Sequence, residues 1–254
     1  MKKVLFFAAC VLFALAGGAQ ADYSADLYLG GNFSYPIYSI VNGVPVSYGG
    51  GSIDPSTLNG NALPWVYCAD FIRVVYVPGD YQYTVVSNSG NIYGSPLNNA
   101  AQVAWLLTYE NPIGGQGNQQ MALQAAIWTV ISDGLVNPIT TPSTNYVYQL
   151  DQSNSSSAVV NLYSQYLNAV IAANSNGGIS DQLVANFLWM TPETSAGGTM
   201  YQGLVTEVGG LGPQNGGGET PIPGTAWLLG SGLASLNAWR LYNKKVRNKR
   251  TISF

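Results

Sequence analysis

Met121-Ala122-Leu123-Gln124-Ala125-Ala126-Ile127-Trp128 reads as a stretch of helix that is apolar on every side. A helix with no polar face belongs in an interior, so the rest of the chain has to be arranged to cover it. Gln124 is the exception in that run. Gln120, Gln124, Ile127 and Ile131 fall on one stripe at helical spacing, which aims the Gln124 amide inward rather than at water. A buried amide left unpaired costs about 1–3 kcal/mol. A core glutamine bonded to neighbouring backbone meets that requirement as well as a reacting one does.

The cover is expected from strands on both sides of a helical middle. Residues 38–47 hold Asn42-Gly43 between Ile40-Val41 and Val44, the strongest short hairpin signal. Residues 49–61 open on three glycines and read as a loop. Residues 71–77 and 81–87 are rich in β-branched and aromatic side chains around Pro78-Gly79-Asp80, which predicts a second hairpin. The period then becomes helical over 98–109 and 118–132, with Asn98 or Asn99 and Asn118 as candidate caps. A third helix is predicted over 155–173, where Val159, Leu162, Tyr166, Leu167, Val170 and Ile171 recur at helical spacing. Residues 183–189 and 200–208 read as closing strands. Strands, then helices, then strands predict an α+β fold rather than a parallel α/β sheet.

Charge narrows what this domain can do. All twelve acidic residues fall between positions 22 and 239, against Arg73 as the only cation there. Such a field repels nucleic acid, which rewards clustered Lys and Arg, so no nucleic-acid partner is expected. The chain has no histidine. That closes Ser-His-Asp and Cys-His nucleophilic sites and removes the commonest zinc ligand, so neither a metal nor another cofactor is expected. A pair of carboxylates can still perform glycosidase chemistry, but no two acids stand out by their spacing.

The ends carry addressing signals. Lys2-Lys3, an apolar run over 4–16 and Ala19-Gln20-Ala21 read as a secretory signal over 1–21, which places the mature chain in an oxidising compartment. The domain is expected over 22–208 and a Gly-rich linker over 209–220. Residues 221–254 then combine Pro221-Ile222-Pro223-Gly224, an apolar segment over 225–239 and a basic tail. The run Pro221-Ile222-Pro223-Gly224-Thr225-Ala226-Trp227-Leu228-Leu229-Gly230-Ser231-Gly232-Leu233 resembles the PEP-CTERM sorting signals of exosortase substrates, with Ile222 in place of their Glu. The resemblance implies a processing enzyme of the exosortase type. The apolar segment with its flanking cations reads as a short membrane anchor.

Cys68 is the only cysteine beyond the signal. An odd thiol in an exported protein calls for an explanation. It is compatible with an inert core residue, a link to a second molecule, a redox or catalytic thiol, or acylation by its own chain. Tyr67-Cys68-Ala69-Asp70 and Leu123-Gln124-Ala125-Ala126-Ile127-Trp128 are similar to the two motifs of bacterial surface thioester domains. Those have an aromatic-Cys-x-Asp segment and, later, a Gln-x-Ala-Ile-Trp helix; Leu123 stands where the family often has Thr.

The resemblance implies a β-rich domain with a helical insertion carrying the glutamine. It implies a thioester between Cys68 and Gln124, with Tyr67, Asp70 and Trp128 as supporting residues. Such a bond couples once to an amine or hydroxyl on an extracellular polymer, which is not enzymatic turnover. The expected setting is export through the inner membrane and adhesion at the cell surface or in its matrix, with transient anchoring by the carboxy-terminal segment. A noncovalent carbohydrate- or matrix-binding module, built on the seventeen tyrosines, is the alternative.

Overall fold

Period-two burial marks the first strand. In β1 (Tyr23–Leu29), Ala25, Leu27 and Leu29 point inward while Ser24, Asp26 and Tyr28 are exposed. The computed structural model describes residues 22–31, 33, 35–111, 117–132 and 148–208. The expected signal, linker and sorting segment therefore lie outside the described residues. Those residues fall within one compact unit, Ala19–Gly212. They form an antiparallel, strongly curled sheet of half-barrel shape together with helices, an α+β architecture.

After β1 come β2 (Tyr35–Val41), β3 (Val44–Gly50), β4 (Ser56–Leu58), β5 (Asn61–Leu63), β6 (Tyr67–Cys68) and β7 (Gly79–Ser87). The small hairpin β8 (Asn91–Ile92) and β9 (Ser95–Pro96) precedes helices α1 (Ala100–Tyr109) and α2 (Gly117–Ile131). Strand β10 (Tyr148–Leu150), helix α3 (Ser157–Ser175), strand β11 (Phe187–Glu193) and strand β12 (Leu204–Glu207) complete the order. Seven strands make the main sheet, ordered β5-β4-β1-β7-β11-β12-β6, and β10-β2-β3 form a second sheet. All seven residues of β11, inside the main sheet, are buried. Strand β6 stands at the sheet's edge.

Helix α2 is covered as its composition requires. Ten consecutive residues from Ala122 to Ile131 are buried. Around them pack α1, α3 and all three strands of the second sheet. The Thr129 and Tyr163 hydroxyls meet at 2.9 Å between α2 and α3. At the other face Trp128 stands edge-on to Tyr48 and Tyr148, with ring centroids 5.6 and 5.4 Å apart.

Several boundaries differ from expectation. The Asn42-Gly43 hairpin forms, with both residues at positive φ (51° and 80°), joining β2 to β3. The expected loop over 49–61 instead contains β4 and the start of β5, turned by Asn59-Gly60 at φ 49° and 76°. Of the predicted second hairpin only 81–87 is a strand. Residues 71–77 are held by side chains: the Asp70 carboxylate accepts from the Ile72 and Arg73 amides, and the Tyr81 hydroxyl both accepts from Tyr76 N–H and donates to its carbonyl. Asn99 sits at φ 55° and gives α1 no side-chain cap; its amide donates to the Val130 carbonyl, and that of Asn98 to Ile131, at the end of α2. Asn118 lies inside α2 rather than capping it. Ser156 caps α3, accepting from Val159 N–H, so that helix starts and ends two residues later than predicted. Residues 181–186 are a 3-10 helix rather than strand, and β11 begins only at Phe187.

Candidate functional site

Cys68 ends β6, paired with Leu204 of β12. On the β12 side the next residue makes the ladder bond, Ala69 N–H to the Gly203 carbonyl at 2.7 Å. Alternation along an antiparallel strand then turns the N–H and C=O of Cys68 away from β12, toward the open edge. The Gln124 side chain occupies that edge. Its Oε1 accepts from Cys68 N–H at 2.9 Å, and its Nε2 donates to the Cys68 carbonyl at 2.7 Å. A side-chain amide thus stands where a further strand would run. Neither residue has any solvent exposure.

Gly50 makes room for this approach. A Cβ there would lie 2.0 Å from Ile37 Cδ1 and 3.5 Å from Gln124 Cγ. Ile37 and Gln124 therefore share space that only glycine leaves free. The sequence marks this place by its three consecutive glycines, Gly49 to Gly51, without saying which one touches the glutamine.

Burial pushes the Cys68 thiol well above its ordinary pKa, and the Asp70 carboxylate raises it further. At neutral pH the sulfur is a protonated thiol. Asp70 is engaged elsewhere: besides accepting from Ile72 N–H at 2.8 Å and Arg73 N–H at 3.3 Å, it accepts from the Tyr93 hydroxyl at 2.5 Å. Arg73 Nη1 lies 4.0 Å from the same carboxylate. Asp70 thus caps the turn that follows Cys68.

Tyr67 is buried with its ring 5.6 Å from that of Trp65, and its hydroxyl donates to Asn111 Oδ1 at 3.4 Å. Burial raises its phenol pKa. Trp128, one turn beyond Gln124, is buried and its indole N–H lacks a hydrogen-bond partner. The structure therefore pairs the Gln124 amide with the Cys68 main chain, and buries Tyr67, which precedes Cys68, and Trp128, one turn beyond Gln124. Two neighbours were not singled out by sequence: Tyr93, which bonds Asp70, and Gly203, which bonds Ala69.

Among the described residues no three His, Cys, Asp or Glu side chains gather as a metal-binding group, and no helix is long and apolar enough to cross a membrane. Compared with known proteins, the chain matches no family model, no curated protein and no solved structure.

Proposed function

We propose that residues 22–208 act as a thioester domain of an exported surface protein, joining itself covalently to an extracellular partner through Gln124. The reciprocal pairing of the Gln124 amide with the main chain of Cys68 carries this reading. It supports a reaction because it holds an acyl donor against the main chain of the residue that carries the only thiol beyond residue 21. Helices α1 and α2, with Gln124 in the second, are the helical insertion of such a domain.

The chemistry balances within the site. Sγ of Cys68 attacks Cδ of Gln124, and negative charge develops on Oε1. The Cys68 N–H already donates to that oxygen, so the nucleophile's own amide serves as the oxyanion donor. The C–N bond breaks, the thiol proton passes to Nε2, and ammonia leaves. Positioning through the main-chain pairing replaces the thiol activation that burial denies. The thioester then sits away from water. An incoming amine or hydroxyl attacks Cδ, the sulfur leaves as thiol, and an amide or ester bond joins Gln124 to the partner. Because both groups are buried, that partner has to displace part of the cover. Residues 22–239 contain no lysine to quench the bond from within.

Export by residues 1–21, and transient anchoring followed by exosortase-type processing over 221–254, would bring this chemistry to the cell surface or its matrix. Thiol accounting under denaturing conditions tests the reading. Unfolded wild type should resist alkylation by iodoacetamide until hydroxylamine opens the thioester, while Gln124→Ala alkylates at once. Immediate alkylation of the wild type refutes it.

A groove of about 300 Å3, lined in part by the half-exposed rings of Tyr35 and Tyr38 with Asn118 and Asn154, favours a second reading, noncovalent carbohydrate binding. Glycan retention that survives Cys68→Ala and fails in Tyr35→Ala would select it.

A further inference from the structure

Tyr93 stands in a backbone conformation that its side chain does not explain. Together with Gly94 it makes the two-residue turn of the β8–β9 hairpin, at φ 60° and 71°. Such turns favour Asn, Asp or Gly at the first position, because a left-handed residue with a large side chain is strained. Strain of this kind persists where surrounding contacts over-determine it, and it gathers at functional sites. Here both its amide and its hydroxyl are engaged. Tyr93 N–H donates to Thr191 Oγ1 at 2.9 Å, the hydroxyl donates to Asp70 Oδ2 at 2.5 Å, and it accepts from Gly203 N–H at 2.6 Å. The Arg73 guanidinium lies 3.7 Å above the ring centre.

The two groups tied by this hydroxyl bracket the residue after Cys68. Gly203, whose N–H it receives, gives its own carbonyl to Ala69 N–H. Asp70, to which it donates, follows Ala69 and holds the next turn. The Gln202 side chain adds a bond to the Asp70 carbonyl. A Cβ on Gly203 would meet Ile92 Cγ2 at 2.5 Å and the Tyr93 oxygen at 3.3 Å, so glycine is what lets the hydroxyl reach. The chain leaving Cys68 is thereby fixed on its β12 side, while Gln124 holds the opposite edge.

We infer that Tyr93 is a positioning residue for the condensation of Cys68 with Gln124: its hydroxyl, acting through Asp70 and Gly203, holds the Cys68 main chain in register with the Gln124 amide. The inference rests on the thioester reading. It takes no part in the bond changes and touches neither reacting atom. Loss of the hydroxyl releases Asp70 Oδ2 and Gly203 N–H, and the small misplacement that follows slows attack steeply, as near-attack geometry does.

The test follows ammonia loss by intact mass after refolding of the full chain, comparing wild type, Tyr93→Phe and Thr84→Val. Thr84 donates to the Tyr81 carbonyl in β7, on a central strand, and serves as the stability control. Tyr93→Phe should lose ammonia more slowly than wild type by about tenfold or more, while Thr84→Val keeps the wild-type rate despite a lower unfolding midpoint. Equal rates for Tyr93→Phe and wild type overturn the inference and leave the thioester standing. Absence of ammonia loss in wild type overturns both. Should Tyr93→Phe not fold, Asp70→Ala and Asp70→Asn decide. The Asn side chain still accepts from the Tyr93 hydroxyl, so Ala should slow the reaction well beyond Asn, and matching rates for the two contradict the inference.

Discussion

Gln124 satisfies two main-chain groups of Cys68 at once, so substitutions on either side of the pair have unequal consequences. Cys68→Ala removes the sulfur and keeps the main-chain pairing. Gln124→Ala removes the pairing and leaves a buried N–H and C=O unmet. Both should abolish the proposed thioester, but Gln124→Ala should be the less stable of the two by about 1–3 kcal/mol, measured by urea unfolding. In Gln124→Ala the thiol is free and buried, with a folded pKa above the ordinary 9.0. Its contribution is therefore whole below pH 9.0 and declines as pH rises above it, by at most about 1.4 kcal/mol per pH unit. Adding Cys68→Ala should remove that decline between about pH 9 and about pH 10, with the buried tyrosines adding their own, later loss. At this scale the sequence was informative because composition isolates the proposed reactants: one thiol past residue 21, and one amide amid eight residues of otherwise apolar helix. Tyr93 was not legible. Its part depends on Asp70 and Gly203, which are 23 and 110 residues distant in the chain.

Turns and edges, more than helices and strands, decide how these residues meet. Gly50 and Gly43 make a direct comparison. Gly43 has nothing within 4 Å of a would-be Cβ, so Gly43→Ala incurs only the strain of its positive φ, about 1–2 kcal/mol, and leaves thioester formation intact. Gly50→Ala drives a methyl into Ile37 beside Gln124. It should cost about 1–3 kcal/mol by overpacking and reduce the thioester-bearing fraction as well. Urea unfolding with mass analysis of the same samples separates the two. Asn42-Gly43 was readable because long alternating strands flank it. Asn59-Gly60 carries the same chemistry between three-residue strands, too short for a period to register. Residues 71–77 have strand composition but are pinned by Asp70 and Tyr81 side chains, a tertiary arrangement that propensity does not report. Helix α2 was the most legible element, since a helix apolar on all sides leaves one place to put it.

At the scale of the whole molecule, a curled sheet whose edge strand carries the thiol and a buried helix that carries the amide converge on one contact. The proposed signal, linker and sorting sequence would bring that contact outside the cell, where one irreversible bond would suffice for attachment. The acidic, lysine-free composition over 22–239 would suit the proposed storage of an electrophile. Everything proposed here depends on the bond itself. The most direct measurement is the intact mass of the exported protein beside Cys68→Ala and Gln124→Ala, with and without methylamine. The account predicts that wild type alone is lighter than its sequence by one ammonia and that it gains one methylamine at Gln124. Wild type at its full sequence mass, with a thiol that alkylates on unfolding and no uptake of methylamine, would contradict it.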